Sequence, residues 1–255
     1  MNDLVVITGA AMGIGQATVR TLIDAGVRTV ALDSDSAALK EMTDGAGPLC
    51  SSVSGDVSDI ETHAAAVRMA SKEGRLVGWV NGAGISVSDS AHTLEEETLH
   101  RTLEVNLIGT ALGCSAAVRE FLREGVAGAI VNVSSLEAVA AFPASFSYEA
   151  SKGAVEALTR QMAVEYGPAG VRCNCVRPGA VSTPMTQRYV GEASDPEQAL
   201  RELAAYSPLG RISTAEEVAS IIAFLLGEGA SFINGASVPV DGGASARCFA
   251  ALAEE

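Results

Sequence analysis

Apolar residues in this chain follow two rhythms. Short apolar runs at 4–7, 29–32, 50–53, 76–80, 129–133, 171–176 and 237–240 read as strands. Longer stretches with helical spacing lie between them, at 14–25, 36–42, 60–73, 94–124, 147–166 and 215–226. The runs at 4–7 and 76–80 carry no polar side chain, and those at 29–32 and 129–133 carry one each. That is the pattern of strands covered on both faces. Strands that alternate with helices predict a mostly parallel sheet with right-handed crossovers, an α/β doubly wound architecture. Ligands of such sheets bind beyond the carboxyl ends of the strands.

The chain has 255 residues, enough for one large domain spanning 1–255, and no repeat or linker interrupts it. Residues 187–207 break the rhythm. They are polar and mixed, follow a strand end, and are expected to form a lid within that domain. The net charge of −14 argues against nucleic acid or an anionic membrane as the main partner. No apolar run reaches the ~18 residues of a membrane span, and the start of the chain has no secretory pattern. Five scattered cysteines fit reduced thiols and a cytoplasmic protein. Cys173 and Cys175 share a strand face without a second ligand pair, so they read as structural thiols and no metal is expected.

Two segments carry chemistry. The first strand runs into Thr8-Gly9-Ala-Ala-Met12-Gly13-Ile14-Gly15, directly before a helix. Glycines there permit unusual backbone angles and let the chain approach a pyrophosphate at the helix N-terminus. Asp33 ends the second strand, 18 residues after Gly15, where a carboxylate can accept both ribose hydroxyls and repel a 2′-phosphate. No Lys or Arg lies between Thr8 and Gln16 or in the three residues after Asp33, so NAD is the expected cofactor. Asp33 can also be read as a helix cap, a task that Ser34, Asp35 or Ser36 can perform instead. Asp56-Val57 after the third strand are placed at the adenine edge. Asn81, Ala83 and Gly84 after the fourth are placed beside the cofactor ribose.

The second segment is Tyr148-Glu-Ala-Ser-Lys152, with Ser135 placed 13 residues before the tyrosine. Positions i and i+4 share a helix face, which sets an ammonium beside a phenol. A free phenol has a pKa near ~10. A neighbouring cation is expected to lower it and make the pair a proton donor and acceptor for an alcohol or carbonyl oxygen.

In this order the motifs resemble the short-chain dehydrogenase/reductase family, from Thr8 to Gly243, and imply a Rossmann-type fold. Also matching are Asn106, Arg177-Pro-Gly-Ala-Val181-Ser-Thr183 and the closing Val240-Asp-Gly-Gly243. The resemblance implies that Tyr148 is the general acid/base and that Lys152 lowers its pKa and binds the nicotinamide ribose. Ser135 would hold the substrate oxygen and Asn106 would organise a relay water. Val181 and Thr183 would meet the carboxamide. It implies an oxidoreductase acting on a small secondary alcohol or ketone. It also implies a homotetramer, packed through residues 103–121, 154–163 and the apolar 249–252.

An NADPH-dependent reductase of carrier-bound 3-oxoacyl groups is disfavoured by Asp33. A non-catalytic dinucleotide-binding scaffold is disfavoured by the intact Asn106, Ser135, Tyr148 and Lys152. Two departures stand out: Asn81-Gly82 in place of a usual Asn-Asn pair, and a bulky Trp79 in the preceding strand. Phe142, Phe146, Met185, Tyr189 and Tyr206 predict a neutral, moderately apolar substrate, with Arg188 solvated.

Overall fold

The computed structural model describes residues 3–247. Seven strands form one parallel sheet: β1 (Asp3–Thr8), β2 (Arg28–Asp33), β3 (Cys50–Ser54), β4 (Arg75–Asn81), β5 (Ala129–Val133), β6 (Arg172–Pro178) and β7 (Ser237–Val240). Their spatial order is β3-β2-β1-β4-β5-β6-β7, so the winding reverses between β1 and β4. A crevice opens at such a reversal.

Period-two geometry sends alternate strand residues to opposite layers. Val5 and Ile7 of β1 pack with α1 (Gly13–Asp24), α2 (Ser36–Ala46) and α9 (Ala215–Leu226). Leu4 and Val6 face α3 (Ile60–Glu73), α5 (Gly109–Glu124) and α6 (Phe146–Tyr166). A packed apolar cluster on each side of the sheet explains the largely apolar strand runs.

The expected helix at 94–124 is not one regular helix. It comprises α4 (Glu96–Leu103), a π-helical turn over Glu104–Ile108, and α5. Single π turns concentrate at functional positions, and Asn106 lies inside this one. Residues 187–207 comprise most of α7 (Pro184–Glu192), a connection at 193–195, and α8 (Pro196–Tyr206), and the two helices pack on each other. Thr183 and Asp195 cap these two helices, and proline stands in each first turn.

Trp79 is fully buried, and its indole N–H donates to Asn81 Oδ1 at 2.9 Å. Gly113 makes the room: a Cβ there would lie 2.1 Å from Asn81 Oδ1 and 2.8 Å from Trp79 Nε1. Asn81 Nδ2 then donates to Asn132 Oδ1 at 2.8 Å, and Asn132 Nδ2 to Thr159 Oγ1 at 2.9 Å. This polar ladder braces β4, β5 and α6, and it accommodates the bulky Trp79 noted in the sequence.

Among the described residues no helix is long and apolar enough to cross a membrane. On the faces expected to pack between subunits, Phe121 and Ala163 are buried within the chain. The expected contacts at 249–252 lie outside the described residues.

Candidate active site

A cleft of about 400 Å³ runs along the carboxyl ends of β1, β2, β4, β5 and β6. One end is built by the turn after β1. Gly9 adopts φ +67°, and a Cβ on it would lie 2.7 Å from the Ala83 backbone. A Cβ on Gly15 would lie 2.0 Å from the Gly9 carbonyl oxygen. Side chains would fill this cradle, so glycine is required at both positions. The N-cap of α1, Met12, offers no side-chain hydrogen bond to the first-turn amides. Those amides remain open to an anion at the positive end of the helix. Met12, Gly13 and Ile14 line the cleft beside them, and Thr183 stands opposite Gly13. The donor set fits a pyrophosphate.

Asp33 lines the same end. Its Oδ2 accepts from the Ala11 amide and its Oδ1 from the Asp35 amide, each at 3.0 Å. Capping of α2 falls to Asp35, which accepts from Ala37 and Ala38. Of the two tasks open to Asp33 in the sequence, the cap therefore belongs to its neighbour. Asp56 and Val57 line the next segment. Burial works to raise the Asp56 pKa, but hydrogen bonds from Ser58 and Arg101 outweigh it and hold the carboxyl low. Arg101 reaches Asp56 Oδ2 at 2.5 Å from α4.

Lys152, Tyr148 and Ser135 meet at the other end. Lys152 Nζ stands 5.5 Å from the Tyr148 ring centroid and donates to the Val133 carbonyl at 2.9 Å. Ser135 lines the cleft with the phenol, and its Oγ accepts from the Glu137 amide at 3.2 Å. Ser134 turns away and donates to the Lys152 carbonyl at 3.2 Å. The electrostatics differ from the sequence expectation. Burial, with the charge of Glu137 behind it, pushes the Tyr148 phenol up to about 12, while Ser135 pulls it down. Burial also pushes Lys152 down to about 8, against the opposing pull of Glu137 and Cys175. Glu137 itself is raised by burial. The phenol of the free protein is therefore held protonated.

Two of the expected site residues, Asn81 from the cofactor set and Asn106 from the catalytic set, are not among the residues that line the cleft. Asn81 is 2% exposed and spends its side chain on the ladder, so Gly82, Ala83 and Gly84 line the cleft without it. Burial between two polar strand neighbours decides this. Asn106 is fully buried and pairs with the backbone of Ile85: its Oδ1 accepts from Ile85 N at 2.8 Å and its Nδ2 donates to Ile85 O at 2.9 Å. Nδ2 also donates to Ser151 Oγ at 3.0 Å. A Cβ on Gly84 would lie 3.4 Å from both Asn106 Oδ1 and Lys152 Nζ, so glycine separates the amide from the ammonium.

Val181 and Thr183 line the cleft as expected positions require. Arg101, Val105, Gly179 and Thr186 also line it and were not foreseen. Val105 precedes Asn106 in sequence and was open to inference. Arg101 was not, because its partner lies 45 residues away. At the outer edge Met185 and Arg188 line the cleft, while Phe142 and Tyr206 meet edge-on at 5.3 Å. Arg188 is exposed and has no ion-pair partner among the described residues.

Residues 9–245 match a family model described as enoyl-(acyl carrier protein) reductase. An inactive 2-(S)-hydroxypropyl-CoM dehydrogenase of Xanthobacter autotrophicus is 42% identical over 89% of this chain and 99% of its own length. A cis-4-hydroxycyclohexanecarboxylate dehydrogenase of Sinomonas cyclohexanicum is 39% identical over 94% of this chain and 96% of its own. The crystal structure of a levodione reductase superposes with a TM-score of 0.92 at 31% identity, covering 96% of this chain and 98% of that one. The sheet order, the glycine turn, the Ser135, Tyr148 and Lys152 cluster and these matches agree: the chain belongs to the short-chain dehydrogenase/reductase family.

Proposed function

We propose that this protein is an NAD-dependent oxidoreductase that interconverts a secondary alcohol and a ketone. The observation that carries the reading is one cleft with two chemistries. An uncapped helix terminus and Asp33 stand at one end, and Ser135, Tyr148 and Lys152 at the other. When bound, the dinucleotide supplies the hydride acceptor or donor. Gly9, Gly13 and Gly15 let it approach, the first-turn amides of α1 hold its pyrophosphate, and Asp33 accepts from its adenosine ribose. Lys152 keeps protons free for the second ribose after its bond to Val133. Asp33, with Ser34 and Asp35 beside it, makes that end acidic and supports NAD over NADP. Arg101, a cation that lines the same cleft, is already engaged by Asp56.

In reduction, protonated Tyr148 donates its proton to the substrate oxygen while the Ser135 hydroxyl holds that oxygen. In oxidation Tyr148 takes the proton, and the Lys152 charge favours the developing phenolate. α7 and α8 cover the substrate end as a lid in this reading. Tyr148→Phe tests it: turnover with a panel of secondary alcohols and NAD is expected to fall by roughly 10²–10⁴. NADH affinity should stay within about threefold. Turnover retained in that variant would sink the assignment.

A second reading concerns the substrate's charge. Arg188 lines the cleft without an acidic partner among the described residues, and one relative acts on a hydroxy carboxylate by name. An anionic group on the substrate would meet that guanidinium.

A further inference from the structure

We propose that Asp89 is a positioning residue. From a separate loop it caps the helix that carries Tyr148, and so holds the phenol against Ser135. The proposal rests on the reading of Tyr148 as the acid/base.

The start of α6 lacks a local cap. Ser145, its N-cap residue, makes no side-chain capping bond. Asp89 supplies the missing acceptor: the Ser147 amide donates to Asp89 Oδ1 at 3.0 Å, and the Ser147 hydroxyl donates to Asp89 Oδ2. Ser147 is the residue before Tyr148. A carboxylate suits this place, because it meets two donors at the positive end of a helix. Asp89 is 5% exposed, so the contact is part of the interior.

The backbone reinforces it. Asp89 N donates to Ala144 O at 3.1 Å, Phe146 N donates to Asp89 O at 3.2 Å, and residues 89 and 145 form a parallel bridge. Ala144 is the one non-glycine residue with positive φ among the described residues, at φ 60°. Such a conformation persists only where its surroundings enforce it, and here it coincides with the Ala144 carbonyl accepting from Asp89. From the same segment the Ser145 hydroxyl donates to the Glu137 carboxylate, and the Glu137 amide donates to Ser135 Oγ at 3.2 Å. Tyr148 and Ser135 thus hang from one hydrogen-bonded hub, with Asp89 on the Tyr148 side.

Tyrosine labelled with ¹³C at Cζ, titrated by NMR and assigned through Tyr148→Phe, reads the phenol directly. In the wild type it should stay protonated to well above pH 10, as burial pushes it up to about 12. In Asp89→Ala the first turn of α6 loosens, water reaches the phenol, and its titration should move down by a unit or more. Amide exchange at residues 146–149 should rise tenfold or more while 155–166 stays protected. Asp89→Asn keeps the acceptor for the Ser147 amide and should fall much closer to the wild type. An unchanged titration in folded Asp89→Ala overturns the proposal. So does an equal shift in Asp89→Asn, which would assign the effect to charge. If Asp89→Ala fails to fold, Ser147→Ala should give a smaller shift in the same direction, and its absence overturns the proposal. The titration does not depend on turnover, so a failed acid/base assignment shows separately, as activity kept in Tyr148→Phe.

Discussion

Asp33 Oδ2 accepts the Ala11 amide at 3.0 Å, so the carboxylate that ends β2 is tied to the glycine-rich turn after β1. The same group that would read the adenosine ribose also steadies the pyrophosphate turn. Asp33→Ala is therefore expected to weaken NADH by roughly 10–100-fold, the size of a lost hydrogen bond to a charged group. NADPH should lose less, because the repulsion disappears with the carboxylate. Calorimetric titration of both dinucleotides against both proteins checks this. Unchanged discrimination would refute the ribose role.

Glu137 raises the pKa of both Tyr148 and Lys152. Glu137→Gln removes that charge, so both values should fall. Oxidation needs the phenolate and should gain at a given pH: the rising limb of its kcat/KM profile should move to lower pH by up to about a unit, as expected for loss of one nearby charge. Reduction needs the protonated phenol and should begin to fall at lower pH than in the wild type. Profiles measured in both directions test the sign, and a shift to higher pH would contradict it.

Gly113→Ala should destabilise the fold without touching the cleft. Its Cβ would meet Asn81 Oδ1 and Trp79 Nε1 inside the polar ladder. Overpacking of this kind costs about 1–3 kcal/mol. For a chain of this size that is a fall of roughly 2–4 °C in Tm per kcal/mol. Differential scanning calorimetry checks it, and an unchanged Tm would mean that the ladder yields freely.

Arg188→Ala separates the two substrate readings. Turnover of a neutral probe such as cyclohexanol should stay within about threefold. The KM of cis-4-hydroxycyclohexanecarboxylate should rise about tenfold, corresponding to ~1.4 kcal/mol, within the range of a charged hydrogen bond. Equal effects on the two probes would remove Arg188 from substrate recognition.

Sheet and cleft were legible to different depths. The run 129–133, apolar apart from Asn132, became β5 with the same bounds, because a strand covered on both faces is mostly apolar. The glycine turn was equally legible, since backbone angles and close approach belong to residues adjacent in sequence. The helix over 94–124 was read too simply. A π turn depends on what Asn106 bonds across the fold, and that partner is the Ile85 backbone, 21 residues away.

The sequence by itself determined the alternation of strands and helices, the glycine-rich turn after β1, and the i, i+4 placement of Tyr148 and Lys152, all of which follow from local spacing. Only the tertiary structure decided that Asn81 braces the sheet instead of lining the cleft, and that Arg101 joins Asp56. It also decided that Asp89 caps α6 and that burial with Glu137 raises the Tyr148 phenol. These depend on which distant groups share a desolvated space, and desolvation, charge and hydrogen bonding are set by neighbours in space and not by neighbours along the chain.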